Sequence, residues 1–330
     1  MIRHQTTVSR LGVSALGGIA VAAMMTATPA VGLEIKTSDV HGEGYPTTEA
    51  IRYMGDLLSA WTNGRITVNL FPSMQLGGEK EALEQTQLGA LEMTRVSVGV
   101  VGPIVGEFDT FNLPYFFRSV EHMNHVVDGE IGTDLLNKLE AGGLIGLGYM
   151  DGGSRSFYVK DHAITKPADL AGMKIRVMQN PVFVDMVNAL GGNGVQIAYN
   201  ELVPALQTGV VDGAENNPPS MLEQNHYRSA KYYTLTGHLI LPEPIVMSKT
   251  TWNKLTPEQQ VLVKKYAHEA QLEERQLWDE KSASSEAKLK EAGVEFIEID
   301  KKPFYDATAP VREKYGAPYA ALIKRIEAVQ

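Results

Sequence analysis

Met173-Lys174-Ile175-Arg176-Val177 is a short strand-like run that contains an arginine. An arginine is costly to bury alone, so its side chain either reaches solvent or faces an anion. The planar guanidinium can hold a carboxylate through two parallel hydrogen bonds. We therefore expect Arg176 to bind the carboxylate of a ligand, with a structural ion pair at a strand edge as the alternative.

Strands and helices alternate along the sequence on both sides of this run. Strands are predicted over residues 33–37, 66–70, 91–98, 144–150, 157–159, 174–178, 195–199 and 294–299. Helices are predicted from Thr47 or Thr48 to Trp61 and over residues 78–88, 182–190, 201–208 and 310–329. This order is typical of a parallel α/β sheet, in which ligands bind at the carboxyl ends of the strands.

A long helix is predicted to begin at Thr256-Pro257-Glu258-Gln259 and to run to about Lys290. Thr256 can cap the helix, Pro257 suits its first turn, and Gln259 can complete a capping box. A helix of this length in an α/β protein is expected to span two lobes as a strut. The chain has 330 residues, a length that usually divides into two lobes.

The N-terminal segment is typical of a secretory signal peptide. Arg3 and Arg10 precede and flank an apolar stretch, and small residues follow at 27–32 where a peptidase would cut. An uncleaved membrane anchor is the alternative reading of this segment. Removing the two arginines takes the formal charge from −9 to −11, which disfavours nucleic acid as a partner. The chain has no cysteine, so it carries neither disulfides nor a lipid-attachment cysteine, and we expect a bacterial periplasmic protein.

Several linked motifs closely resemble the periplasmic solute-binding subunit of TRAP transporters, the DctP-type family. They are Gly153-Ser154-Arg155, Pro167 to Val177, Tyr199-Asn200-Glu201-Leu202 and Ala205 to Asn216. The resemblance implies an α/β fold of two lobes, joined by crossing strands and a long helix, that closes over an organic acid. Its expected parts are a signal peptide over 1–32, lobe I over 33–152 plus 240–275, and lobe II over 153–239 plus 276–330. It also implies delivery of the ligand to TRAP permease subunits in the membrane, by a monomer or a homodimer.

The resemblance assigns a carboxylate clamp to three residues. Arg176 corresponds to the arginine that holds the ligand carboxylate, Arg155 to a second cleft arginine, and Asn216 to an amide that completes the grip. Tyr199 falls where the family places an aromatic residue against the ligand. The alternatives are a surface ion pair at a hinge for Arg155, a turn for Asn216 and a packed strand-end aromatic for Tyr199.

Further motifs resemble family members that bind sugar acids, which implies a hexuronate or a related ligand. Glu79 would accept hydrogen bonds from hydroxyl groups, Arg95 would donate to hydroxyls or a carboxylate, and Asn217 and His238 would read the distal end. His41, in the first Gly-rich loop, is a further candidate lining residue. The alternatives are a helix-terminal acid for Glu79, a turn for Asn217 and a solvated loop for His41.

Pro219 and Gly237 depart from the pattern of these sugar-acid binders, which leaves the distal pocket open. Two other functions remain at this point: a C4-dicarboxylate receptor of the same fold, or a periplasmic lyase or isomerase that uses His238 or Tyr199 as acid or base. We expect a binding protein and not an enzyme, because no nucleophile elbow, catalytic cysteine or phosphate loop is present in the sequence. No cofactor or metal site is predicted.

Overall fold

A computed structural model describes Met1 and residues 32–330. Residues 2–31 of the predicted signal peptide lie outside the described residues. Nine strands form one sheet in the described part: β1 Leu33–Ser38, β2 Ile66–Phe71, β3 Met93–Arg95, β4 Leu144–Val159, β5 Lys174–Val177, β6 Asn193–Gln196, β7 Gly213–Asn216, β8 Tyr232–Ser248 and β9 Glu295–Ile297.

The sheet consists of two parallel parts joined by two long antiparallel strands. Its order is β2-β1-β3-β8-β4-β7-β5-β6, with β9 beside β8. β1 pairs in parallel with β2 and β3, and β5 pairs in parallel with β6 and β7. β8 runs antiparallel to β3 and β4, while β4 also runs antiparallel to β7. β4 and β8 are therefore the crossing strands that connect the two lobes.

The strand pattern predicted a parallel sheet and missed β8, which runs antiparallel to β3 and β4. Pro242 and Pro244 interrupt its apolar run, and proline cannot donate a ladder hydrogen bond, so such a run does not read as a central strand. β4 was predicted as two pieces separated by Gly152-Gly153. The structure continues the strand through these glycines as an irregularity, with a register shift between Asp151 and Ser154.

Thirteen α-helices are present in the described part of the chain. They are α1 Pro46–Trp61, α2 Glu79–Leu88, α3 Val98–Val101, α4 Val120–Asp128, α5 Glu130–Lys138, α6 Pro181–Ala189, α7 Leu202–Thr208, α8 Pro218–Glu223, α9 Lys249–Trp252, α10 Pro257–Glu291, α11 Lys302–Ala307, α12 Ala309–Gly316 and α13 Ala320–Glu327. Within residues 32–330, no helix combines the length and the apolar character that a membrane span requires.

The 35-residue helix α10 begins as predicted. The Thr256 side chain accepts a hydrogen bond from the Gln259 N–H, and the Gln259 side chain accepts from the Thr256 N–H, so the capping box is complete. α10 packs against α1 in the first lobe and α8 in the second, and it crosses β4 between them. The long helix therefore spans both lobes, as the fold prediction required.

Candidate functional site

A narrow cavity of about 20 Å³ lies where the two parts of the sheet meet. Its position agrees with the rule for open α/β sheets, because Arg95, Arg176 and Asn216 lie at or near the carboxyl ends of β3, β5 and β7. Eleven residues line it: Val40, His41, Glu79, Ser97, Arg155, Arg176, Met178, Tyr199, Asn216, Ser220 and Glu243. This volume has room for about one water molecule, so the lining residues must move apart before a small organic molecule can enter.

Arg176 is a buried cation without a carboxylate partner among residues 32–330. Only 2% of its surface is exposed, and its Nε donates to the carbonyl oxygen of Ile197 at 2.8 Å. Its buried Nη1 has no hydrogen-bond partner in the described part of the chain. Burial lowers the pKa of the guanidinium, in spite of the Glu215 carboxylate nearby. An anion in the cavity would supply the hydrogen-bond acceptor and the negative charge that the Arg176 guanidinium lacks.

Arg155 is held by protein groups. Its Nε and Nη2 donate to the two carboxylate oxygens of Glu215, at 2.6 and 2.8 Å, and its Nη1 donates to Asn216 Oδ1 at 2.7 Å. Burial opposes ionisation of Glu215, but Arg155 outweighs it and lowers the pKa of that carboxyl to about 2. Arg155 lines the cavity as one member of a fixed ion pair, so its charge is already balanced there.

The two adjacent asparagines have different environments. Asn216 lines the cavity, and its Oδ1 accepts from Arg155 and from the Asn217 N–H at 2.8 Å, which leaves its amide nitrogen as the donor for a ligand. Asn217 does not line the cavity. Its Oδ1 caps α8 by accepting from the Ser220 N–H, and its Nδ2 donates to the Gly152 carbonyl, both at 2.8 Å. These contacts fit the structural alternative for Asn217, and its ligand contact stays a prediction.

Arg95 lies behind the cavity wall at the centre of a buried ionic cluster. Its Nε donates to Asp39 Oδ2 at 3.1 Å and its Nη2 to Asp39 Oδ1. Its Nη1 donates to Glu79 Oε1 at 3.1 Å and to Glu243 Oε2 at 3.0 Å. Arg95 therefore positions two carboxylates, Glu79 and Glu243, that do line the cavity.

The Glu79 and Glu243 carboxyl groups are held from different elements. Glu79 begins α2 and also accepts from the Ser97 N–H at 3.0 Å. Glu243 lies in β8, where burial outweighs the attraction of Arg95 and raises its pKa from 4.5 to about 7.

His41 and Tyr199 form an aromatic part of the cavity wall. The His41 ring stacks on Tyr45 at 3.6 Å, and its Nδ1 lies 2.7 Å from Glu223 Oε2. Burial opposes the charged form, but Glu223 outweighs it and raises the pKa of His41. The Tyr199 ring lies 5.8 Å from His41 and 5.7 Å from Arg176 Cζ. Its hydroxyl has no hydrogen-bond partner within the described ranges.

His238 is completely buried and does not line the cavity. Its Nδ1 lies 2.8 Å from Thr236 Oγ1, its ring stacks on Phe157 at 4.2 Å, and its Nε2 lies 3.6 Å from Glu215 Oε2. Burial lowers the pKa of His238. The ring supports the far side of the Arg155–Glu215 pair, so a direct ligand contact stays a prediction.

Sequence reasoning missed five lining residues, namely Val40, Ser97, Met178, Ser220 and Glu243. Ser97 and Met178 were predicted to lie inside strands, over 91–98 and 174–178. In the structure β3 ends at Arg95 and β5 at Val177, so both residues lie just beyond the carboxyl end of a strand, where cavities form in α/β sheets. Glu243 had no strand-end signal, because its strand was itself missed. Among residues 32–330, no group of three or more His, Asp or Glu side chains is arranged to hold a metal ion.

The sequence model described as "Bacterial extracellular solute-binding protein, family 7" (DctP) matches residues 37–317. A TRAP periplasmic solute binding protein from Pseudomonas putida F1, with bound D-glucuronate, is 62% identical with a TM-score of 0.89, over 90% of this chain and 98% of that chain. A TRAP periplasmic solute binding protein from Citrobacter koseri, with bound D-glucuronate, is 44% identical with a TM-score of 0.88. The match covers 90% of this chain and 100% of that chain. A TRAP periplasmic solute binding protein from Xanthobacter autotrophicus Py2, with bound β-D-galacturonate, is 40% identical with a TM-score of 0.87. The match covers 90% of this chain and 100% of that chain.

These matches confirm the resemblance inferred from the motifs. They extend across nearly all of the described residues, and they join the sequence evidence to the two-lobed architecture. The chain therefore belongs to the DctP family, family 7 of the bacterial extracellular solute-binding proteins.

Proposed function

We propose that this protein captures a hexuronate, with D-glucuronate the first candidate, in the cavity between its lobes. The observation that carries the proposal is the buried Arg176 guanidinium, whose Nη1 has no partner among residues 32–330 while its Nε is fixed by Ile197. A ligand carboxylate placed there would receive charge-assisted hydrogen bonds, each contributing about 1.5 to 3 kcal/mol.

The rest of the cavity supports a hydroxyl-rich ligand. Asn216 has an amide donor to offer, and the carboxyl groups of Glu79 and Glu243 can accept from hydroxyls. The Tyr199 ring can cover the apolar face of a sugar. The relatives from P. putida and C. koseri, which hold D-glucuronate, support the same ligand class.

Membership of the family supports a place outside the cytoplasmic membrane, which we propose to be the periplasm. There the liganded protein would present its cargo to TRAP permease subunits. The crossing strands β4 and β8 and the helix α10 connect the lobes, so their bending would let the cleft open and close.

A thermal-shift panel followed by calorimetry tests the ligand class. The panel contains D-glucuronate, D-galacturonate, D-gluconate, succinate and an aromatic acid, with D-glucose as the uncharged control. We expect hexuronates to raise the melting temperature, because a ligand that binds only the folded state stabilises it by mass action. Stabilisation by succinate alone would point to a dicarboxylate receptor and sink the hexuronate proposal.

The same preparation separates binding from catalysis. After long incubation with D-glucuronate, the ligand released by denaturation should be chemically unchanged by NMR. Conversion to an isomer or an unsaturated product would instead make the protein an enzyme that uses the cleft as an active site.

A further inference from the structure

The two lobes bring opposite charges to the cavity. The second lobe contributes Arg176 on β5 and the amide of Asn216 on β7, whereas the first contributes the carboxyl groups of Glu79 on α2 and Glu243 on β8. We define Glu79 and Glu243 as the acidic wall. A ligand in the cavity therefore lies against both the Arg176 cation and the acidic wall.

The acidic wall keeps net negative charge because its nearest cation is already shared. Arg95 serves both wall carboxylates through a single nitrogen, Nη1, while its Nε and Nη2 are bonded to Asp39. The other cations that line the cavity have acidic partners of their own, Arg155 with Glu215 and His41 with Glu223. Only Arg176 is left with an unmatched positive charge among the described lining residues.

We propose, on the basis of the hexuronate function above, that Glu79 and Glu243 select monocarboxylates by binding hydroxyl groups and repelling a second carboxylate. Ionised carboxylates accept hydrogen bonds and a protonated carboxyl can also donate one, and both suit the hydroxyls of a sugar. A second carboxylate would be desolvated beside like charge, which is strongly unfavourable in a site of low dielectric. The wall therefore discriminates a hexuronate from the aldarate of the same carbon skeleton.

The residues are built for this role by their burial and fixed geometry. Glu243 is 6% exposed, and its Oε2 is fixed by Arg95 at 3.0 Å, while Glu79 is fixed through Oε1 by Arg95 and by the Ser97 N–H. In each carboxyl group one oxygen is used to hold the side chain. The second oxygen, which makes no hydrogen bond to residues 32–330, is left for the ligand.

The test compares D-glucuronate with D-glucarate, in which a second carboxylate replaces the reducing end. Calorimetry on the wild type should give a Kd for D-glucarate weaker by on the order of 100-fold. The titrations are made at pH 8, above the pKa of about 7 of Glu243, so that Glu79→Gln and Glu243→Gln each remove a charge with little change in shape. Each should reduce that ratio at least about tenfold. Glu81→Gln is the matched control, because Glu81 lies on the same helix but is exposed and outside the cavity lining. The control should leave the ratio unchanged.

Equal affinity of the wild type for the two acids would overturn the inference, as would a wild-type ratio that neither glutamine variant changes. The second result would assign the discrimination to the open-chain form of the aldarate and not to charge. Circular dichroism melting without ligand shows whether each variant is folded. If neither folds, D-gluconate and D-glucarate, both open-chain acids, are compared on the wild type, and tighter or equal binding of D-glucarate refutes the wall. Failure of D-glucuronate to bind the wild type would sink the proposed function itself.

Discussion

Arg176→Met is expected to abolish most of the affinity for D-glucuronate while leaving the fold intact. Removing one partner of a buried ion pair costs about 3 to 5 kcal/mol, because the remaining charge is desolvated without compensation. At 1.4 kcal/mol for each tenfold change in Kd, the loss is roughly 100-fold to 4,000-fold. Methionine is similar in length and apolar, so it fills much of the same space.

In the ligand-free protein, by contrast, Arg176→Met should not lower the free energy of unfolding. Arg176 has one backbone acceptor and no ion pair within residues 32–330, and burial already lowers the pKa of its guanidinium. Replacing an uncompensated buried cation by an apolar side chain is neutral or stabilising. Arg155→Met should behave differently, because it leaves the fully buried Glu215 carboxylate without its partner, at a cost of about 3 to 5 kcal/mol in stability.

Two measurements on each variant check this reasoning: calorimetric titration with D-glucuronate and urea unfolding without ligand. Arg52→Met serves as the control, since Arg52 is a solvent-exposed arginine paired with Glu43 and lies outside the cavity. The clamp is refuted if Arg176→Met binds within about threefold of wild type, a difference well below 1.4 kcal/mol. A ligand-free Arg176→Met protein as unstable as Arg155→Met would refute the view that Arg176 is uncompensated.

Two further predictions concern stability. Arg155 lowers the pKa of Glu215 from 4.5 to about 2, so the ionised carboxylate stabilises the fold above pH 4.5. About 3 kcal/mol of the free energy of unfolding should be lost as the pH falls through 2. Urea unfolding across this range should show this loss in the wild type and not in Glu215→Gln. Gly153→Ala should lower stability by at least about 2 kcal/mol, since φ is +61° and the new Cβ would lie 2.6 Å from Trp278. Gly172→Ala, at φ +78° with open space around it, should cost only about 1 kcal/mol in the same assay, and equal losses would contradict the packing argument.

Local signals predicted the fold where local chemistry determines it. The capping box at Thr256 predicted the start of α10, and the short strand-like run around Arg176 predicted β5. The crossing strand β8 was missed because two prolines lie in its central part, where the missing N–H groups are tolerated beside the irregular stretch of β4. The prolines are tolerated because of the irregular shape of the partner strand β4, which is distant from β8 in the sequence.

The same long-range effect limited the prediction of the site. The motifs assigned Arg176 as the main carboxylate clamp and Arg155 as a second cleft arginine. Only the structure shows that both carboxylate oxygens of Glu215 already accept hydrogen bonds from Arg155, through its Nε and Nη2. Glu243 was invisible for a related reason, because it lies between the prolines of the missed strand. Whether an arginine already has a carboxylate partner depends on residues that the sheet brings together. The spacing of residues along the chain does not predict this pairing.

The buried arginines near the cleft differ mainly in the carboxylates that they already hold. Arg95 holds three, Arg155 holds one through two oxygens, and Arg176 holds none among residues 32–330. A ligand can shift an opening and closing equilibrium only through contacts that differ between the two states. Under the proposed function, the ligand carboxylate makes such a contact at Arg176 in the second lobe, and its hydroxyl end makes another at the acidic wall in the first. Affinity and selectivity therefore depend on opposite ends of one small molecule, and closure requires both.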